Sequence, residues 1–164
     1  MTKILATIST STVVTIGLLI YLILTWYHTN RDIDALIDRA QVAANAEDML
    51  QYTTELETNM RSYGMTSGYT AILFTTPAND MSLHYKTVQR IITRLRQVKD
   101  LPQNETAYQV ALADLRGTLR ELSNPTNGWI WTHYIWWMLL VVIGCWGVTA
   151  LVAKKGGIFR TDFV

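Results

Sequence analysis

Two apolar segments near the ends of the chain constrain its fold more than any other feature. Ile4–Tyr27 and Ile130–Ala153 contain no Asp, Glu, Lys or Arg. At a rise of about 1.5 Å per residue, a helix over either segment is long enough to cross a hydrocarbon core of about 30 Å. The sequence therefore predicts an all-α membrane protein in which transmembrane helices at 4–27 and 130–153 run antiparallel and bracket a polar domain, residues 28–129.

The first segment also has the outline of a signal peptide. Its apolar run is longer than a usual h-region, however, and no Ala-x-Ala-like cleavage site follows it. We therefore expect an uncleaved membrane anchor.

Basic residues near the ends predict the topology. Lys3 precedes the first span, and Lys154, Lys155 and Arg160 follow the second. Short flanks rich in Lys and Arg stay in the cytoplasm, whereas a long loop is translocated largely regardless of its charge. We expect residues 1–3 and 154–164 to be cytoplasmic and the middle domain to be extracytoplasmic, in a bacterial inner membrane or its equivalent.

Aromatic residues cluster where each span meets the polar domain. The cluster consists of Trp26, Tyr27, Trp129, Trp131, Tyr134, Trp136 and Trp137. Trp and Tyr are enriched at membrane–water interfaces, so both groups are expected at the outer interface.

The middle domain is polar without being basic. Residues 30–128 contain ten Lys and Arg and twelve Asp and Glu, which disfavours a nucleic-acid surface because such a surface needs a clustered basic face. The single cysteine, Cys145, lies within the second span, so cysteine spacing indicates neither a disulfide framework nor a zinc site.

Apolar residues in the middle domain recur every three or four positions, which is typical of amphipathic helices. Because the chain must return to the membrane, we expect an even number of antiparallel traverses. The simplest arrangement is a helical hairpin, capable of coiled-coil packing, with arms at about 30–63 and 80–123, a kink at Pro102 and a tip at 64–79. The alternative is a small bundle of four short helices, with an extra turn near Asn45 or a short helix within 64–79. A lone hairpin buries little core, so a second copy or another subunit would complete it as an oligomer.

The joints to the two spans are expected to differ. No Gly or Pro occurs between Leu18 and Tyr63, so the first span is expected to continue into the first arm. Pro125 and Gly128 predict a flexible or bent joint before the second span. Within the membrane, small residues over 6–17 and 144–153 predict close contact between the two spans. The alternative is that these small faces contact other subunits, or that their hydroxyls bond only to their own helix.

His28 and His133 are the first candidate site. They lie at the outer ends of the two spans, and paired imidazoles can ligate haem b or a chlorophyll. The alternative is that both residues belong to the aromatic belt. We favour that alternative and expect no cofactor.

The apolar tip is the second candidate site. Tyr69, Ile72, Leu73 and Phe74 are candidate partner-binding residues, because an exposed apolar patch often marks a binding surface. The alternative is a loop that folds back on the end of its own hairpin.

No catalytic motif was found, so the sequence predicts a protein that is not an enzyme. The favoured hypothesis is an accessory or scaffolding subunit of a larger membrane complex, respiratory or photosynthetic among the candidates, with other membrane subunits or a second copy as partners. The alternative is a sensor-like, ligand-binding input module, because chemoreceptors have a similar span–bundle–span layout. The short tail after the second span and the Pro125–Gly128 break argue against it. A cofactor carrier using the two histidines is a weaker alternative.

Overall fold

The computed structural model describes residues 2–71, 74–122 and 125–156. Over this part of the chain the fold is helical and contains no strand, only an isolated bridge between Tyr69 and Asp80. The helices are α1 (Thr2–Thr29), α2 (Ala35–Val42), α3 (Ala46–Ser62), α4 (Met81–Val98), α5 (Thr106–Glu121), α6 (Pro125–Ile130) and α7 (Trp136–Lys155). Two π-helical turns, Asn30–Asp34 and Trp131–Ile135, adjoin α1 and α7, and a short 3₁₀ turn covers Pro77–Asn79.

The chain forms two compact units. Unit one consists of Met1–Thr25 and His133–Val164, and unit two is Trp26–Thr132. Residues 157–164, which make up most of the expected cytoplasmic tail, lie outside the described part.

Unit one contains the apolar parts of α1 and α7. Two helices, one containing α1 and the other α7, are long and apolar enough to cross a membrane. Their large apolar side chains point away from the protein: Leu5, Val13, Ile143 and Leu151 are each more than 60% exposed. Side chains of this kind are stable on an outer surface when that surface meets lipid.

Hydroxyl groups connect the two helices inside unit one. The Ser11 and Thr149 hydroxyls are 2.7 Å apart and buried, and the Ser11 hydroxyl also donates to the carbonyl of Cys145 at 3.2 Å. The indole of Trp146 donates to the Thr15 hydroxyl at 3.2 Å. The two small-residue segments therefore meet, as their composition predicts.

Unit two is a bundle of four short antiparallel helices. Neighbouring contacts join α2 to α3, α3 to α4, α4 to α5, and α5 back to α2. The α2–α5 pairing is antiparallel, since Asp34 bonds Thr126 while the Arg116 guanidinium donates to the carbonyl of Ala43. The core consists of the apolar residues that the helical periodicity predicts, such as Leu36, Leu56, Ile91, Leu95, Leu112, Leu115 and Leu119.

The two-armed hairpin is not the arrangement found. The first predicted arm is interrupted at Ala43, whose ψ of 136° is extended, and α3 restarts after Asn45. The Asn45 side chain accepts a bond from the Asp48 amide at 2.8 Å, which is a helix N-cap. In the second predicted arm, residues 99–105 separate α4 from α5, and the two helices run antiparallel instead of forming one kinked helix. The middle domain still has an even number of antiparallel helices, since α2 to α5 form the four-helix alternative.

Gly128 does not break the chain as expected. It lies inside α6, and the described chain stays helical from Pro125 to Lys155. A Cβ at residue 128 would lie 2.7 Å from the Cβ of Thr70, so this glycine allows close packing rather than a joint. The chain is also helical from Thr2 to Val42, although a π-helical turn separates α1 from α2.

Candidate functional site

The connection between α3 and α4, residues 63–80, packs against α6. Thr70 touches the backbone at Gly128, and a Cβ at Gly68 would lie 3.7 Å from the Trp129 ring. The hairpin interpretation makes this segment a tip far from the second span. The contacts instead place it beside the helix that precedes that span in the sequence.

The connection is held by its own hydrogen bonds. The amide of Thr70 donates to the carbonyl of Asn79, and the amide of Met81 donates to the carbonyl of Gly68, both at 2.8 Å. The Asn79 side-chain amide donates to the carbonyl of Phe74 at 2.7 Å. Gly64 and Gly68 have φ values of 73° and 96°, which residues with a side chain rarely adopt. These bonds fix the described parts of the connection, residues 63–71 and 74–80.

Two predicted site residues of this loop project outward. Phe74 is 81% exposed and Tyr69 is 43% exposed, whereas Met65 of the same loop is fully buried. Ile72 and Leu73 lie outside the described residues. The described part of the loop packs on its own bundle through Met65, while Phe74 and Tyr69 are exposed, and their role as partner-binding residues stays a prediction.

Other aromatic residues are exposed at the same end of unit two. Trp26, Tyr27 and Trp131 are each about half exposed. The indole nitrogen of Trp26 donates to the side-chain oxygen of Asn127 at 2.9 Å, next to Gly128. The polar atom of this ring is therefore satisfied by the protein, while about half of the side chain stays exposed.

Asp32 links the π-helical turn to α3 at this end. Its carboxylate accepts from Arg31 at 2.7 Å and from the Tyr63 hydroxyl at 2.8 Å, and its carbonyl accepts from Asn59. The Arg31 hydrogen bond is the largest cause of a lowered pKa for Asp32, and the Tyr63 bond adds to it. This carboxylate remains charged at neutral pH.

Asp34 is buried in the same turn. Its carboxyl accepts from the Thr126 hydroxyl at 2.8 Å, and Thr126 is fully buried. Burial raises the pKa of Asp34 above its ordinary value, and the Thr126 bond only partly offsets this. Neither Asp32 nor Asp34 was selected from the sequence, although two carboxylates within seven residues of the end of the uncharged segment are a signal.

Glu57 forms a second polar cluster between α3 and α4. One carboxylate oxygen accepts from the Tyr85 hydroxyl at 2.6 Å, from Arg61 at 2.8 Å and from Gln89 at 3.4 Å. The Tyr85 hydrogen bond is the largest cause of the lowered pKa of Glu57. The cluster joins the two helices at the protein surface.

The candidate histidines fall in different units. His28 belongs to unit two, is exposed, and lies edge-on to Tyr27 with ring centroids 5.6 Å apart. His133 belongs to unit one and is also exposed. Their pairing around a cofactor stays a prediction.

A groove of about 520 Å³ runs between α1 and α7 in unit one. It is lined by small or apolar residues: Ala6, Thr7, Thr10, Ser11, Val141, Gly144, Cys145, Val148 and Thr149. The hydroxyls of Thr7 and Thr10 donate to carbonyls of their own helix, so they present little unsatisfied polarity to the groove.

A second, shallow groove of about 450 Å³ lies on α4 in unit two. Lys86, Gln89, Arg90, Thr93, Arg94 and Gln97 line it. Arg94 is bonded to Asp114 at 2.8 Å. The groove is therefore lined mainly by basic and amide side chains of a single helix.

No protein-family model matches this chain, and comparison with curated proteins and with solved structures found no match.

Proposed function

We propose that this chain is a non-catalytic accessory or scaffolding subunit of a larger membrane protein complex, of which respiratory and photosynthetic complexes are candidates. Its two apolar helices anchor it, its termini are cytoplasmic, and its four-helix unit is extracytoplasmic. The observation that carries this proposal is the uncharged groove between α1 and α7, which is lined by small side chains.

The groove suits a transmembrane helix of a partner subunit. Association of helices in lipid depends on close van der Waals packing, which small residues allow. Gly144 faces open space, with no atom within 4 Å of the position that an added Cβ would take, so a partner helix can approach its backbone. The buried Ser11–Thr149 bond already holds α1 against α7, so the groove is preformed.

Gly144 and Gly147 supply a matched test. Neither has an atom within 4 Å of an added Cβ, but only Gly144 lines the groove. We expect Gly144→Leu to fill the groove and abolish co-purification of partner subunits in a gentle detergent, while Gly147→Leu leaves it intact. The measurement is a pull-down of the tagged full chain analysed by mass spectrometry.

Two results would contradict the proposal. One is that the wild-type chain purifies as a small dimer of itself with no other stable subunit. The other is that both glycine variants behave alike. Reporters fused to the two termini test the topology separately, and an extracytoplasmic C-terminal reporter would exclude the proposed orientation.

A sensor-like input module is the second candidate function. It is favoured by the four-helix unit and by the continuous helical residues Thr2–Val42 and Pro125–Lys155. Gly128 does not interrupt the second of these helical stretches. The basic groove on α4 suits an anionic ligand. Stabilisation of the detergent-solubilised chain against heating by one of a set of small carboxylates and phosphates would favour this function.

A cofactor carrier remains the third possibility, through His28 and His133. The absorption spectrum of the purified complex tests it. A Soret or chlorophyll band that is lost in His28→Ala and His133→Ala would support it, and a spectrum without either band would exclude it.

A further inference from the structure

We propose that the described parts of the α3–α4 connection, residues 63–71 and 74–80, form a membrane-interface anchor in which Phe74 and Tyr69 enter the boundary between lipid headgroups and acyl chains. The inference rests on the membrane-integral character of the proposed function. It assigns the exposed aromatic residues of the loop to lipid, not to a protein partner.

The first support is position. Unit two begins at Trp26 and ends at Thr132. The chain therefore passes from unit two to the apolar helices at the end of the bundle where Trp26 and α6 lie. The connection packs on Gly128 and Trp129 at this same end. The loop therefore lies at the end of unit two that is covalently joined to the apolar helices.

The second support is charge. No Asp, Glu, Lys or Arg occurs between Arg61 and Asp80, although the four bundle helices are rich in such residues. Moving a charged side chain toward a low-dielectric medium is costly, whereas Tyr and Phe bury apolar surface there at no such cost. An uncharged loop can approach the acyl region.

The third support is the order of the loop. The bonds from Thr70 to Asn79, from Asn79 to Phe74 and from Met81 to Gly68 satisfy backbone groups internally. Backbone groups near lipid need such partners because water is scarce there. Phe74 is 81% exposed and its carbonyl is held by Asn79, and Trp26 and Trp131 supply further exposed aromatic residues in unit two.

Spin labels on single cysteines measure the depth of chosen residues. In a Cys145→Ala background, a nitroxide is attached at Phe74→Cys, Val42→Cys or Ile20→Cys in the full chain, reconstituted in liposomes of phosphatidylethanolamine and phosphatidylglycerol. Val42 is the matched control, since it is also 81% exposed but is the last residue of α2, at the end of that helix away from α6. The label at Ile20 measures the membrane depth of α1.

We expect the label at residue 74 to collide more with oxygen than with a water-soluble nickel complex, as at residue 20, and the label at residue 42 to show the reverse ratio. A nickel-favoured label at 74 beside an oxygen-favoured label at 20 would overturn the proposal while leaving the membrane anchor intact. Shielding of residue 74 from both reagents would also overturn it, in favour of a protein partner. A nickel-favoured label at residue 20 would overturn the anchor and the proposal together.

Discussion

At the residue scale, two carboxylates of unit two differ in how their surroundings act on them. Asp34 is buried with one hydroxyl donor, and its pKa is raised. Glu57 lies at the surface with three donors, and its pKa is lowered. The two residues should therefore affect stability with opposite dependence on pH.

Replacing Asp34 tests the first direction. With a raised folded-state pKa, the contribution of Asp34 to stability is full below its ordinary pKa of 3.8 and is lost as the pH rises through the folded value. Asp34→Asn keeps an oxygen for Thr126 and cannot ionise. We expect this variant to be more stable than wild type at pH 7, with the difference shrinking below pH 3.8, as measured by thermal unfolding in detergent.

Glu57→Gln should show the opposite behaviour. With a lowered folded-state pKa, the contribution of Glu57 is present above its ordinary pKa of 4.5 and is lost as the pH falls through the folded value. We expect the free energy of unfolding to fall by about 1 kcal/mol at pH 7, a modest loss because Glu57 and its donors lie at the surface. A loss that persists unchanged at the lowest pH would contradict the assigned cause.

Gly128 and Gly117 give a comparison of the same substitution in two environments. At Gly128 an added methyl meets Thr70 at 2.7 Å, whereas at Gly117 it meets nothing within 4 Å. We expect Gly128→Ala to destabilise unit two by about 1–3 kcal/mol through overpacking. Gly117→Ala should stabilise α5 by about 0.5–1 kcal/mol because it lowers the entropy of the unfolded chain. Equal effects in the unfolding measurement would show that Thr70 does not pack on α6.

At the element scale, the helical pattern of the middle domain was predictable, while its breaks were not. Periodicity identified the apolar faces of α2 to α5. It could not distinguish one long helix from two short helices when the apolar repeat continues unbroken across the turn between them. The Asn45 cap was a local signal, weighed in the four-helix alternative, and it decides the turn. Gly128 was misjudged because its role depends on a contact with Thr70, which is distant in the sequence.

Tyr108 fixes the turn before α3 from a neighbouring helix. Its hydroxyl accepts from the amide of Ala46 at 2.8 Å, and both residues are buried. We expect Tyr108→Phe to leave this amide without a partner and to cost about 1–3 kcal/mol of stability. Hydrogen exchange at the Ala46 amide should accelerate in the variant, and an unchanged exchange rate would contradict this role.

At the scale of the whole molecule, two helices long and apolar enough to cross a membrane, and the contact between them, were predictable from composition, because uncharged segments suit lipid and small residues allow close packing. The location of the candidate binding loop, residues 63–80, was not predictable in this way. Whether residues 63–80 pack on α6 depends on the number of helices between them, and the hydrophobic pattern left that number open.

The four-helix unit begins and ends at one end of its bundle, and this makes the opposite end a place where the chain can be divided. Residues 99–105 are all exposed, and they separate the chain into two pieces that each retain one apolar helix. The pieces would meet again through the Arg116 and Tyr108 contacts of α5 with the α2–α3 turn. Two genes encoding residues 1–101 and 102–164 should therefore reconstitute the protein when expressed together.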